Sequence, residues 1–358
     1  MKKIYKVCVY AICKNEEKHI DRWYKSVSAA DEIYVLDTGS TDNSVKKLKA
    51  LGVNVIQEEI KPWRFDVARN KSLDLLPKDT DICVCVDLDE VFLPGWREEL
   101  EKVWCDNTTR LRYIYNWSLV KEKPTVSFYN ENIHARNGYK WIHPVHEVLK
   151  YEGRENVVTT DKIVLNHYPD ATKSRSSYLS LLELSIKEEP NDDRNMHYLG
   201  REYMYHKKWN KAIDTLLKHL NLKSATWNQE RAASMRFIAR SYFNLERYKE
   251  ARMYYKMAIE EANELRDGYV ELAILEFNQK NYSEVISLLN KALVIKNREK
   301  TYINETFSWD YTIDNLLSAS YYYLELYDIS LFYIKRALQY DKANPMLLNN
   351  YKIIKEKN

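Results

Sequence analysis

The chain has 358 residues with 55 Lys and Arg against 52 Asp and Glu, a formal charge of only +3. Such near-neutrality gives no bulk attraction to nucleic acid, and the length is about twice that of a common single domain, which predicts two. No apolar run approaches the ~20 residues that cross a bilayer, so a soluble, cytoplasmic protein without a membrane span is expected.

The first residues, Met1-Lys2-Lys3 and an apolar stretch, resemble a leader only superficially, because Lys14-Asn15-Glu16-Glu17 stands where small cleavage-site residues would be needed. They read as a first strand. β-Branched runs at 7–12, 33–36, 53–56 and 82–86 alternate with polar, helix-like segments. This βαβα rhythm, with strands apolar on both faces, predicts a mostly parallel, doubly wound sheet that binds ligands beyond the carboxyl ends of its strands. Cys8, Cys13, Cys83 and Cys85 lie in or beside these runs without a Cys-x-x-Cys pair. They read as reduced core thiols in a reducing compartment, against a zinc or redox site.

Residues 111–170 are rich in Tyr, Trp and His and alternate too irregularly to separate strand from loop, so a mixture is expected. After Pro169 the pattern turns helical almost without interruption. Leu199-Gly200, Tyr203, Ala212 and Leu216 fall at tetratricopeptide spacing. Ile238-Ala239, Tyr242, Ala251, Tyr255 and Ala258 repeat it. Leu272-Ala273, Val285, Leu289 and Ala292 follow, then Leu317-Ser318, Tyr321, Ser330, Ile334 and Ala337. Positions 212, 251, 285 and 330 are 39, 34 and 45 apart, so insertions of 5 and 11 interrupt a 34-residue period and are expected in loops. A segment from Asn344-Pro345 reads as a closing helix. The expected division is an α/β domain at 1–170 and a helical repeat domain at 171–358.

The strongest chemical signal is an apolar strand running into Asp87-Leu88-Asp89-Glu90. Two aspartates one residue apart at a strand end can share a hard divalent cation, Mg²⁺ or Mn²⁺, on a bound diphosphate. At the ends of the first two strands stand Lys14-Asn15-Glu16-Glu17 and Asp37-Thr38-Gly39-Ser40-Thr41-Asp42. There Asp37 can accept hydrogen bonds from a base or ribose, and Asp42 reads as a turn or cap residue. Neither Gly-x-Gly-x-x-Gly nor a Walker loop occurs, which argues against dinucleotide oxidoreductases and P-loop kinases.

These segments, with Phe65-Asp66-Val67-Ala68-Arg69-Asn70, together resemble family 2 glycosyltransferases of the GT-A (nucleotide-diphospho-sugar transferase, Rossmann-like) fold. With the repeats, the resemblance extends to the branch that glycosylates bacteriocin peptides on cysteine or serine. It implies a UDP-sugar donor, inverting transfer and a divalent metal at Asp87 and Asp89. It also implies donor contacts from Ile12, Lys14, Glu16, Asp37, Asp66, Arg69, Asn70, Asp87 and Leu88. An arginine fork suits diphosphate oxygens on its own chemistry. His146 and His167, in Trp141-Ile142-His143-Pro144-Val145-His146-Glu147 and Leu165-Asn166-His167-Tyr168-Pro169, are candidate further metal ligands. Glu147 is the candidate general base, with Asp89 as the other catalytic residue. The catalytic Asp or Glu-Asp pair of many family members has no clear counterpart.

The expected acceptor is a protein or peptide side chain, gripped by repeats that also suit a homodimer. A cell-envelope saccharide or lipid-linked acceptor is the alternative within the enzyme class, and a non-catalytic scaffold the alternative outside it.

Overall fold

The computed structural model describes residues 5–170 and 177–357. It divides into two compact units, Met1–Ser185 and Ile186–Asn358. The boundary expected after residue 170 falls at the edge of 171–176, outside the described residues.

In the first unit, in chain order, come β1 (Val7–Cys13), α1 (Ile20–Val27), β2 (Glu32–Asp37), α2 (Ser44–Ala50), β3 (Asn54–Gln57), α3 (Phe65–Asp74) and β4 (Ile82–Cys85). These are the four strands that the rhythm predicts. After them come β5 (Glu90–Phe92), α4 (Trp96–Val103), β6 (Arg110–Val120), β7 (Lys123–Ala135), β8 (Tyr139–Ile142), β9 (Val148–Tyr151) and β10 (Val157–His167). Among the described residues an eight-stranded sheet has the order β3-β2-β1-β4-β7-β6-β10-β5, and β8 pairs with β9 separately.

β1 pairs in parallel with β2 and β4, and β2 with β3, as expected for βαβ units. The other half is mixed: β7 runs antiparallel to β4 and β6, β6 parallel to β10, and β5 antiparallel to β10. The sheet is therefore less parallel than the first 90 residues suggest, because the irregular middle segment supplies its other edge.

β1 is buried almost throughout, as covering on both faces demands. In α1, Ile20, Trp23 and Val27 recur at helical spacing and are buried; the Trp23 indole donates to the Val86 carbonyl at 3.3 Å, anchoring the backbone just before Asp87. Cys8, Cys83 and Cys85 share one apolar cluster with Tyr10 and Trp141, and burial raises their thiol pKa.

A buried relay links the two sheets. The Trp141 indole donates to Tyr10 Oη at 2.9 Å, Tyr10 Oη meets His134 Nε2 at 2.8 Å, and His134 Nδ1 lies 2.8 Å from the Ala135 carbonyl. Burial, then Arg110 and Arg136, push the His134 pKa down to about 3, against the Ala135 bond that favours its charge. The unfolded chain therefore takes up this proton first as pH falls below ~6.5, and stability is lost from there down through the folded value. We expect urea unfolding of the wild type to lose about 2 kcal/mol from this group between pH 7 and pH 5. His134→Gln should flatten that slope, and an unchanged slope would disprove the assignment.

α5 (Tyr178–Glu188) spans the division between units. The second unit is built from α6 (Asp193–Tyr205), α7 (Trp209–Asn221), α8 (Asn228–Asn244), α9 (Tyr248–Glu261), α10 (Arg266–Asn278), α11 (Tyr282–Val294), α12 (Thr312–Tyr323), α13 (Tyr327–Tyr340) and α14 (Pro345–Lys355). From α6 to α13 they form consecutive hairpins. Lys207, Glu246, Lys280 and Glu325 all turn through positive φ of 57–61°. Each sits five residues before the small residue of its repeat, and the following amide reaches back to close the helix end, as from Lys208 to Tyr203 and from Arg247 to Tyr242. These turns carry the sequence register, at the same 39, 34 and 45 spacing.

The 11-residue insertion lies in a loop, residues 295–311, as expected. The 5-residue insertion lies mostly in a helix instead: α8 has 17 residues where α10 has 13. Its helix-forming sequence extends the turn count rather than the loop.

Asn344 caps α14 by accepting from the Met346 and Leu347 amides. Gly200 lets α6 approach α7 closely, since a Cβ there would sit 2.4 Å from Leu216 Cγ. Gly200→Ala should cost about 1–3 kcal/mol through overpacking, read as a lower urea midpoint at unchanged slope. No loss would mean that Leu216 yields freely.

Candidate functional site

The loops after β1 and β2 are stitched to each other. Asn15 N donates to Ser40 Oγ at 2.8 Å, Thr41 N to Asn15 Oδ1 at 2.7 Å, and Glu16 N to Ser44 Oγ at 2.8 Å. Asp42 accepts from the Ser44 and Glu17 amides, the turn and cap role expected of it. Much of both motifs thus serves to hold two strand ends in register.

This stitching shapes one wall of a cavity of about 660 Å³ at the carboxyl ends of β1 and β4. Ile12, Lys14, Glu16, Arg69, Asp87, Leu88, Asp89 and His167, all predicted site residues, line it together. Thr38, Trp63, Phe65, Glu90, Tyr115, Trp117 and Tyr178 line it too, and sequence reasoning assigned none of them a role. For Glu90 the signal was its place in the acidic motif. Phe65 opens the Phe65–Asn70 motif, while Trp63, Tyr115, Trp117 and Tyr178 stand outside any motif that would single them out.

Asp37, Asp66, Asn70, His146 and Glu147 are not in the lining, and the structure puts most of their polar atoms to other use. Asp37 is fully buried and accepts from the Gly39 and Ser40 amides and from Gln57 at 3.2–3.4 Å. Asp66 takes both arms of Arg64, at 3.0 and 2.9 Å. Asn70 clasps the Trp141 backbone, donating to its carbonyl at 2.8 Å and accepting from its amide at 2.9 Å. His146 stands edge-on to Tyr178, ring centres 5.8 Å apart.

Arg69 is the hinge pin of the acidic corner. Buried to 7% exposure, its guanidinium grips Asp87 with two bonds of 2.5 and 2.8 Å, and its Nε donates to Glu147 Oε1 at 3.0 Å. Glu147, expected as the general base, is in this structure an anchor for Arg69, its Oε1 taken by the Arg69 Nε. Glu147→Gln should therefore lower turnover by less than about tenfold and leave the pH profile in place, whereas loss of a true base would cost roughly 10²–10⁴ and remove a limb.

Asp89 faces His167, whose Nε2 lies 3.5 Å from Asp89 Oδ2 and whose Nδ1 lies 3.1 Å from the Trp117 carbonyl. The His167 ring stacks on Trp117 at 4.6 Å. Burial works against its charge, but the Asp89 hydrogen bond and charge prevail, holding its pKa above the usual range. At Glu90 burial first, then Asp87 and Asp89, push the pKa up to about 8 against the bonds from Tyr115 and the Asp87 amide. The like charges of Asp87 and Asp89 beside it are what a divalent cation in this corner would relieve. Asp89 and His167 suit such an ion as oxygen and nitrogen donors, while both Asp87 oxygens are already on Arg69.

Fold and site define an α/β domain with an acidic cleft at the ends of its parallel strands. Residues 8–149 match the family model described as Glycosyl transferase family 2, so this part of the chain is a family 2 glycosyltransferase domain. An uncharacterized glycosyltransferase of Rickettsia bellii (strain RML369-C) is 32% identical over 116 residues, covering 32% of this chain and 38% of the relative. The match thus spans under two-fifths of that relative's length.

Solved structures align with the helical part. MamA does so at 19% identity and TM-score 0.39, over 47% of this chain and 88% of that one. A thermophilic TPR protein of Thermus thermophilus does so at 16% identity and TM-score 0.37, over 51% and 90%. The second unit is a tetratricopeptide-like array by its own hairpin repeat. No helix among the described residues is long and apolar enough to cross a membrane.

Proposed function

We propose that the chain is a cytoplasmic, metal-dependent inverting glycosyltransferase that moves a hexose or N-acetylhexosamine from a UDP-sugar to a protein or peptide side chain. Residues 1–170 are its catalytic part and 171–358 its acceptor-gripping part. The observation that carries the reading is the acidic cavity at the strand ends of a family 2 domain, with Arg69, Asp87, Asp89 and His167 brought together from separate segments.

In this mechanism Lys14 and Glu16 contact the donor from the β1 loop. Arg69, held between Asp87 and Glu147, offsets their charge and fixes the Asp87 carboxylate at the cavity wall. Asp89 and His167 would hold a divalent cation that neutralises the leaving diphosphate, with Asp87 fixed beside them by Arg69.

The test is UDP release from a panel of UDP-sugars with and without Mn²⁺. Metal-dependent release from one sugar supports the reading and names the donor. No release together with no UDP binding by calorimetry would leave a non-catalytic scaffold as the better account.

A further inference from the structure

The inner helices of the hairpins, α6, α8 and α10, carry a buried charge network that does more than pack helices. Arg236, 1% exposed, donates to Glu271 at 2.6 Å, and Arg240 grips Glu271 with two bonds of 2.7 Å. What these groups hold is the chain's own insertion, residues 295–311. Arg236 Nη2 donates to the Ile303 carbonyl at 2.8 Å, and Asp267 Oδ1 accepts from the Glu305 amide at 2.8 Å and from Ser308 Oγ at 2.9 Å. The Tyr302 hydroxyl bonds Glu230, and its ring lies against Tyr198 and Trp227, centres 5.8 and 5.6 Å away. The Glu305 carboxylate pairs with Arg240.

We infer that residues 302–308 are a resident ligand bound in cis, and that the face beneath them is a polypeptide-binding surface. Its natural competitor is an extended segment with an aromatic residue followed three positions later by a carboxylate. Side chains of a helical array bonding the main chain of a non-helical segment is how such a surface recognises polypeptide in general. An ordinary connecting loop lies on the surface with its backbone solvated. Here Ile303, Asn304 and Ser308 are buried, and main-chain groups of two residues are taken by buried charged side chains. Charged side chains meet this loop at Tyr302, the Ile303 carbonyl, Glu305 and Ser308, which sets a chemical pattern for what can replace it. Beyond Phe307 the same face stays open as a cavity of about 430 Å³ walled by Tyr205, Phe243 and Ile274, so a longer partner has room to continue. The inference does not depend on the glycosyltransferase reading.

The experiment replaces residues 299–309 by a Gly-Ser segment of equal length in the full chain and titrates in a synthetic peptide of residues 299–309 by calorimetry. One-to-one binding is expected, weakened at least tenfold when the peptide carries Tyr302→Ala or Glu305→Ala. A replaced chain that melts cooperatively yet binds no peptide, or binds the alanine peptides equally well, overturns the inference. Should the replaced chain not fold, hydrogen exchange on the native chain decides: the Glu305 amide should exchange as slowly as the middle of α8, and exchange at the rate of an open loop overturns it.

Discussion

Asp89→Ala is expected to lower metal-dependent UDP release on the order of 10²–10³-fold while leaving the fold intact. The separation is possible because Asp89 serves the fold through its main chain: its carbonyl accepts from the Tyr168 amide at 2.8 Å, a bond that alanine retains. Its carboxylate faces the cavity and His167. Two readouts therefore accompany the loss. The thermal midpoint should stay within a few degrees of wild type, and the His167 imidazole, deprived of the carboxylate that holds its pKa up, should titrate lower by nuclear magnetic resonance. Full metal-dependent release by the variant would refute the proposed ligand. A large drop in midpoint would instead make Asp89 a structural residue.

Arg69→Ala should be the most damaging single change to stability in the first unit, about 3–5 kcal/mol. The cost comes from what remains rather than from what is removed. Asp87 and Glu147 would be left facing each other across the space of the lost guanidinium, beside Glu90, whose pKa burial and the neighbouring aspartates already push up. The loop that carries Glu147 would also lose one of its ties to α3, keeping the Phe65 amide bond to the Pro144 carbonyl at 3.0 Å. Urea unfolding of Arg69→Ala beside Arg69→Lys measures this. Lysine keeps the charge but cannot reach two carboxylates with a planar fork, so it should recover only part of the loss. A variant as stable as wild type would mean that the corner rearranges freely, and the Asp87 carboxylate fixed by Arg69 in the proposed mechanism would fall with it.

The helical array shows how far a pattern can be read from one chain. Spacing of small residues revealed four units because each small residue sits where two helices touch, as Ala212, Ala251 and Ser330 do at 0% exposure. The tight turns that set this register use Lys207, Glu246, Lys280 and Glu325, residues with no turn signature of their own, so the turns could be inferred only through the helices they join. In the first unit, β6 and β7 escaped recognition for a related reason. Their two-residue turn places Lys121 and Glu122 at φ of 50° and 60°, a geometry usually announced by Asn-Gly, and neither residue announces it.

By itself the sequence determined the parallel half of the sheet, the acidic strand end and the repeat register, because each depends on periodicity or on neighbours a few residues apart. Only the tertiary structure decided which polar residues line the cavity. Asp37, Asp66, Asn70 and Glu147 are occupied by a turn, an Arg64 pair, a backbone clasp and the Arg69 anchor. Sequence distance hides such partners: Arg69 meets Asp87 from 18 residues away and Glu147 from 78, and a buried charge takes whichever partner folding brings to it.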